Sequence, residues 1–136
     1  MTLSGTDGAG GHSGLVIRFR NNGPTCLMKA YPGVDGVDAD GRVVVHAIRT
    51  TKGYLGGPGR TQVVTVARAQ SASALLEGTT GQVGDQPCPQ YVSLLITPPN
   101  ETHSVKRPVR AAFCQPAIHP VVSGSSGGAL GTYPAE

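Results

Sequence analysis

The sequence predicts an all-β protein, an antiparallel β-sandwich of the immunoglobulin-like type with about seven to nine short strands. Alanine and the β-branched residues cluster into short apolar runs, which Gly, Pro, Asn and Asp separate at intervals of about ten residues. In addition, no helical stretch is long enough to connect two parallel neighbouring strands. A small β-barrel is the main alternative architecture.

Four strands are predicted in the first half of the chain. Residues 15–21 alternate between apolar and polar side chains, and the NNGP stretch behind them is a turn. Within this strand Arg18 and Arg20 follow the pattern of a solvent-facing side. A second strand lies around TCLMKA. After a short strand at 34–37, DADG turns the chain into a strand at 42–48, which predicts a hairpin.

The second half begins with the glycine-rich stretch TKGYLGGPGR, which is predicted to be a mobile loop. TQVVTVA and SASALLEG then form two strands around a turn at RAQ, although helix propensities also allow one helix over VARAQSASALLEG. After a loop at TTGQVGDQP, a strong strand occupies residues 91–97 and ends at Pro98. HSVKRPV and AIHPVVSG complete the predicted strands.

Length and composition predict a single domain. A chain of 136 residues has room for one core, which we place in residues 1–124, while residues 125–136 have no apolar period and are predicted to be a disordered tail. The formal charge is only +3 and the basic residues are scattered, which argues against a nucleic-acid binder. The sequence has no apolar stretch near eighteen residues and no recognisable signal peptide, so we expect any export signal to have been removed.

The three cysteines are Cys26, Cys88 and Cys114. None of them forms the C-x-x-C pair of a zinc or redox site, which favours a structural disulfide. A bond between Cys88 and Cys114 would join two neighbouring strand ends and stabilise the fold by roughly 3–4 kcal/mol through chain entropy. Cys26 is then left over.

Several motifs occur in the order found in a known family. RFRNNGPTCLMKAYPGV is followed by DADGR, by a cysteine before YVSLLITPPN, and by another cysteine before PVVSG. Over residues 15–124 this order resembles the domain of unknown function 4232, found in exported proteins and lipoproteins of actinobacteria, mycobacteria among them. The most specific parts are N-x-G-x-x-C ending at Cys26, YPGV at 31–34 and TPP at 97–99.

The resemblance implies a compartment and a missing disulfide partner. Family members usually carry a further cysteine ahead of the first strand, so we expect this chain to begin after that position, with a truncated first strand. Cys26 would then be unpaired, or paired between molecules. The family also implies export to the cell envelope and a lipidated N-terminal anchor. ARAQS departs from the family, which usually has a proline-glycine turn there.

Three aspartates, Asp35, Asp38 and Asp40, could belong to a calcium loop or to a chain reversal. When an EF-hand numbering is anchored on Gly41, Asp38 and Asp40 take positions three and five, but the ligands at positions one and twelve are missing. An Asp-Gly step between two apolar β runs is a strong hairpin signal. We therefore interpret this stretch as a turn.

No other motif predicts catalysis or a metal site. GSSGGALG is similar to the nucleophile segment of chymotrypsin-like proteases, with Ser126 at the serine position, but Ser125 replaces the aspartate that normally precedes it. The histidines lack the spacing of a preformed metal pair, and although they could converge in space, we interpret them as scattered surface residues. They are His12, His46, His103 and His119.

These observations predict a non-catalytic binding or interaction module, without cofactor or metal. Loops at 52–60 and 78–87 would be presented from a rigid scaffold. The expected partner is an envelope protein or a small ligand and not a nucleic acid, and the membrane would be contacted only through the lipid anchor. The alternatives are a small-ligand or metal carrier, and a hydrolase whose site is assembled from dispersed histidine and aspartate residues.

Overall fold

Every regular element that the structure describes is a β-strand, which confirms the all-β class predicted from the sequence. The structure is a computed structural model and describes residues 1–80, 87–110, 113–131 and 133. Its strands form three sheets, of seven, four and two strands. Within these residues, no helix is long and apolar enough to span a membrane.

The seven-stranded sheet is built around two nine-residue strands, β3 (His12–Arg20) and β9 (Ser71–Thr79), which pair antiparallel along their whole length. β9 also pairs with β12 (Cys114–Ile118). These strands form the centre of the sheet, and shorter strands flank them. The shorter strands are β1 (Thr2–Leu3), β2 (Asp7–Ala9), β7 (Ile48–Arg49) and β13 (Val122–Ser123).

The other two sheets are smaller and antiparallel. The four-stranded sheet has the order β11, β10, β5, β6, and the two-stranded sheet pairs β4 with β8. The strands of the four-stranded sheet are β5 (Gly33–Val37), β6 (Val43–His46), β10 (Ser93–Thr97) and β11 (Val105–Pro108). Those of the two-stranded sheet are β4 (Cys26–Lys29) and β8 (Val63–Val66).

The hairpin predicted at DADG connects β5 and β6. Gly41 has a φ of 85°, a backbone conformation that glycine adopts without steric cost. The Asp38 carboxylate accepts hydrogen bonds from the backbone N–H groups of Asp40 (3.0 Å) and Arg42 (2.9 Å). The turn interpretation of these acidic residues is therefore confirmed.

The stretch VARAQSASALLEG, for which a helix was the alternative, forms the end of β8, a turn, and most of β9. In the turn, Gln70 N–H donates to the carbonyl of Ala67 at 3.0 Å, and Ala69 has a φ of 69°. The helix alternative is wrong because sheet pairing and burial override the helix propensities of Ala and Leu.

Both faces of β9 are buried. On one face, Ala74 and Leu76 belong to the main hydrophobic core. On the other face, Leu75 packs in a cluster with Leu55 and Tyr133. This double burial explains why β9 is a nearly continuous apolar run, as is usual for strands covered on both sides. Since Leu55 lies in the glycine-rich stretch and Tyr133 near the chain end, two coil segments cover the outer face of the large sheet.

The chain end differs from the prediction of a disordered tail over residues 125–131 and at Tyr133. Arg18, on β3, donates hydrogen bonds to the backbone oxygens of Ser125 (2.9 Å) and Tyr133 (3.2 Å). Arg18 is thus half-buried and holds the chain end, whereas its predicted companion Arg20 is exposed. A coil held by side-chain hydrogen bonds needs no apolar period, which is why the sequence pattern did not reveal it. The remaining tail residues lie outside the described part of the chain.

Two links join the start of β10 to the start of β12, which lie in different sheets. The structure contains the disulfide between Cys88 and Cys114, whose Cα atoms are 4.9 Å apart. Nearby, the Tyr91 hydroxyl donates to the carbonyl of Phe113 (3.0 Å) and accepts from its N–H (2.6 Å). Both links fix the distance between the sheets at this end. Cys26 is exposed and has a free thiol.

Removing the Tyr91 hydroxyl in Tyr91→Phe should lower the free energy of unfolding at pH 7 by about 1–3 kcal/mol, because both backbone groups of buried Phe113 lose their partner. Burial also raises the pKa of Tyr91 from 10.0 to about 12. Between these two values the unfolded chain loses this proton before the folded protein does. Stability should therefore fall as pH rises from 10 to 12, and less steeply in the variant.

Chemical denaturation at pH 7 and at several values from pH 9.5 to 12 measures both effects. Tyr54→Phe is the control, since Tyr54 is 54% exposed and its hydroxyl is not part of this link. An unchanged alkaline slope in Tyr91→Phe would contradict the assignment.

Candidate functional site

A buried carboxylate connects three separate parts of the chain. Glu77 extends from the outer face of β9, and its side chain is 7% exposed. Its Oε1 accepts the backbone N–H of Tyr54 at 2.7 Å, and its Oε2 accepts the N–H of Leu55 at 3.2 Å and Nε2 of His119 at 2.8 Å. Three donors compensate for the loss of water around the carboxylate, which allows a charge to be buried here.

His119 is fully buried, immediately after β12, so the surface interpretation is wrong for this histidine. Its backbone N–H donates to the carbonyl of Leu75 at 2.9 Å, which continues the pairing with β9. Because Glu77 is acceptor-only when ionised, we assign the ring proton to Nε2. The other ring nitrogen, Nδ1, has no hydrogen-bond partner among the described residues.

Two glycines of the loop at 52–60 lie directly against the His119 ring. A Cβ added to Gly57 would lie 2.1 Å from Nδ1, and one added to Gly53 would lie 2.4 Å from Cε1. Gly57 also has a φ of 92°, which side chains rarely tolerate. The glycines are thus needed for close packing between backbone and ring.

The same loop was predicted to be mobile, but its middle part is held on two sides. One side is the Glu77 carboxylate described above. On the other side, Gly57 N–H donates to the carbonyl of Gly128 at 2.9 Å, and Leu130 N–H donates to that of Leu55 at 3.0 Å. The loop and the chain end therefore form one hydrogen-bonded cover over the sheet.

A pocket of about 410 Å³ opens in this cover, and we call it the tyrosine pocket. Its volume falls within the range of about 300–1,000 Å³ that is typical of small-molecule sites. Glycines complete a lining that is otherwise aromatic, aliphatic and acidic. The lining side chains are Asp7, Tyr54, Leu55, Leu130 and Tyr133.

The tyrosine rings of the pocket are held by neighbouring groups. The ring of Tyr54 stacks on that of His12, with centroids 4.0 Å apart and planes 10° from parallel. Tyr133 is buried, and this burial raises the pKa of its hydroxyl, with a further contribution from the negative charges of Asp7 and Glu77.

The other predicted candidate residues are dispersed. His46 is exposed and its Nδ1 lies 2.5 Å from the carboxylate of Asp35, on the β5–β6 hairpin. His103 is exposed as well. Ser126 is exposed, and its Oγ accepts the N–H of Gly128 at 3.2 Å within a turn. In the part of the chain that is described, no group of three or more His, Cys, Asp or Glu could hold a metal.

The central residues of this site were not found from the sequence. Glu77 carried a usable signal, since a single carboxylate inside the apolar run SASALLEG indicates a buried and paired charge. The sequence around Tyr54 and Tyr133 gave no comparable signal, because no local pattern indicates that these two segments meet in the fold. The second predicted loop, 78–87, lies largely outside the described residues.

The fold and the pocket together define an all-β, disulfide-linked domain with a preformed cleft. The profile of a family described as domain of unknown function (DUF4232) matches residues 1–126. The chain belongs to this family, which confirms the resemblance drawn from its motifs. The comparison with curated proteins found no match, and neither did the comparison with solved structures.

The N-x-G-x-x-C motif of the resemblance has a structural role in this chain. The side-chain amide of Asn21 donates to the carbonyls of Pro24 and Val66, both at 2.8 Å, and its oxygen accepts the N–H of Gly23 at 2.9 Å. Asn21 thus closes the turn between β3 and β4 and ties it to β8. Cys26, which ends the motif, follows this turn as the first residue of β4.

Glu77→Gln should lower the free energy of unfolding by about 3 kcal/mol, because the amide has one acceptor oxygen for three buried donors and brings a donor of its own. Denaturant unfolding measures the loss. Glu101→Gln is the matched control, since Glu101 is exposed and should change stability by no more than about 0.5 kcal/mol. Equal effects of the two substitutions would contradict the role of Glu77.

Gly57→Ala should destabilise the protein by about 2–3 kcal/mol, because the new methyl group meets the His119 ring and the backbone conformation is strained. The control is Gly59→Ala in the same loop, where an added Cβ meets no atom within 4 Å. Thermal and denaturant unfolding of both variants test this expectation. A stable Gly57→Ala would show that the loop is not packed on His119.

Proposed function

We propose that this protein is a non-catalytic binding module and that the tyrosine pocket is its ligand site. The observation that carries the proposal is the preformed pocket itself, since the Glu77 hydrogen bonds fix the backbone of Tyr54 and Leu55, and His12 fixes the Tyr54 ring. A site that needs no rearrangement loses little conformational entropy on binding. The pocket volume suits a small molecule or one protruding group of a larger partner.

The position of the Glu77–His119 pair supports a binding role over a hydrolytic one. A catalytic pair must reach the substrate, but the His119 side chain is 0% exposed and Gly57 lies against its Nδ1. The three hydrogen bonds of Glu77 are made to the protein's own N–H groups. This pair therefore holds the loop that lines the pocket, and neither residue is part of the lining.

We further propose an immunoglobulin-like sandwich that acts outside the cytoplasm, at the cell envelope, with a lipidated N-terminal anchor in the full-length protein. The family resemblance supports this location. The disulfide between Cys88 and Cys114 also supports it, because disulfides persist in oxidising compartments. The partner is then a small ligand or an envelope protein, and not a nucleic acid.

A small-molecule screen by thermal shift, followed by ¹⁵N chemical-shift mapping of the hits, tests the binding site. We expect hits that raise the melting temperature and shift the amides of Tyr54, Leu55 and Leu130. Tyr54→Ala should weaken these hits by at least about tenfold, since the aromatic wall is lost.

The matched pair for this experiment is Leu130→Ala and Leu27→Ala. Both leucines are exposed, 84% and 57% respectively, but only Leu130 lines the tyrosine pocket. Affinity should fall in the first variant and stay unchanged in the second. Hits that map elsewhere would overturn the site, and substrate hydrolysis abolished by Asp7→Asn would overturn the non-catalytic role.

A further inference from the structure

We propose that the tyrosine pocket selects an organic cation, a compact alkylammonium group held by Asp7 and the Tyr54 ring. This inference rests on the proposed binding function and adds the chemical class of the ligand.

The charged side chain in the described lining of the pocket is a carboxylate. Among the described residues that line it, Asp7 is the charged one. The buried carboxylate of Glu77 lies beneath the loop that forms one wall. Arg18 is the nearby cation, but it lines a neighbouring pocket and donates to the backbone oxygens of Ser125 and Tyr133. A bound cation would therefore be attracted, whereas an anion would face Asp7 without a partner.

Asp7 and Glu77 also act electrostatically on Tyr133. The charges of Asp7 and Glu77 disfavour the negative phenolate and so add to the raised pKa of this tyrosine. Both carboxylates thus contribute negative potential at the hydroxyl of Tyr133, a residue of the pocket lining. A positive ligand group placed there would be stabilised by the two charges that disfavour the phenolate.

Tyr54 is only partly buried in the pocket lining. One of its faces is covered, because the ring of His12 stacks on it with nearly parallel planes. Tyr54 is nevertheless 54% exposed, and we place the ligand over the ring face opposite His12. An ammonium group over such a face is attracted by the ring quadrupole, which is the basis of aromatic cages for quaternary ammonium ligands.

The remaining lining favours alkyl groups over a bare metal ion. Leu55 and Leu130 supply apolar contact area on the loop and on the chain end. A hard metal ion would need about six oxygen ligands, and the pocket's lining contributes one carboxylate. One carboxylate, aromatic faces and an aliphatic rim together suit an ammonium nitrogen that carries carbon substituents.

A matched pair of probes isolates the charge. Choline and 3,3-dimethyl-1-butanol have nearly the same shape, but the second has carbon in place of the charged nitrogen. In ¹⁵N chemical-shift titrations of the wild-type protein, choline should shift the amides of Tyr54, Leu55 and Leu130 and bind about tenfold more tightly than the alcohol.

Two substitutions assign the selectivity to named groups. Asp7→Asn should weaken choline severalfold and leave the alcohol unchanged, whereas Asp40→Asn, an exposed aspartate on the β5–β6 turn, should change neither probe. Tyr54→Leu keeps an apolar wall but removes the ring, and should bring the affinities of the two probes closer together.

The outcomes separate this inference from the binding proposal. Equal affinities of both probes at these amides would overturn cation selection and leave the binding site in place. If choline shifts none of these amides while another screened compound does, cation selection is again overturned and the site stands. If no compound shifts them, both proposals fall.

Discussion

The carboxylate of Glu77 accepts N–H hydrogen bonds from Tyr54, Leu55 and His119 in the interior of the protein. A buried charge is tolerated only where its partners remain in place, so the position of each donor is constrained by the other two. Through these bonds β9, the glycine-rich loop and the residue after β12 become one unit. The outer face of the large sheet depends on this unit, because Glu77 attaches the glycine-rich loop to β9, and the bridge between Gly56 and Ala129 joins that loop to the chain end.

The two faces of the large sheet are stabilised by different means. The inner face is an ordinary apolar core, and the disulfide and the Tyr91 hydroxyl hold the sheets together at one end. The outer face is covered by a loop and the chain end, which bind the sheet through Glu77 and Arg18. The tyrosine pocket lies within this polar, hydrogen-bonded cover and not within the main core. Its shape is therefore set by backbone segments whose positions are specified by side-chain hydrogen bonds.

A buried histidine paired with a carboxylate is often regarded as a mark of catalysis. In this protein the burial of the pair and the contact of Gly57 with the His119 ring argue for a supporting role. A ligand bound at the proposed site would instead meet the pocket's surface, with one carboxylate, tyrosine rings and leucine side chains.

Alternation, turn residues and motif order are local properties of the chain, and they were sufficient to predict the all-β class, most strand positions, the Asp38–Gly41 turn and the family. The sequence also supplied the pairing of Cys88 with Cys114, through their positions near strand ends. Only the tertiary structure brought Glu77 to His119 and placed Tyr54 beside Tyr133, which are far apart in the chain. These contacts depend on how β9 is covered on its second face, and local periodicity contains no information about which coil segments provide that cover.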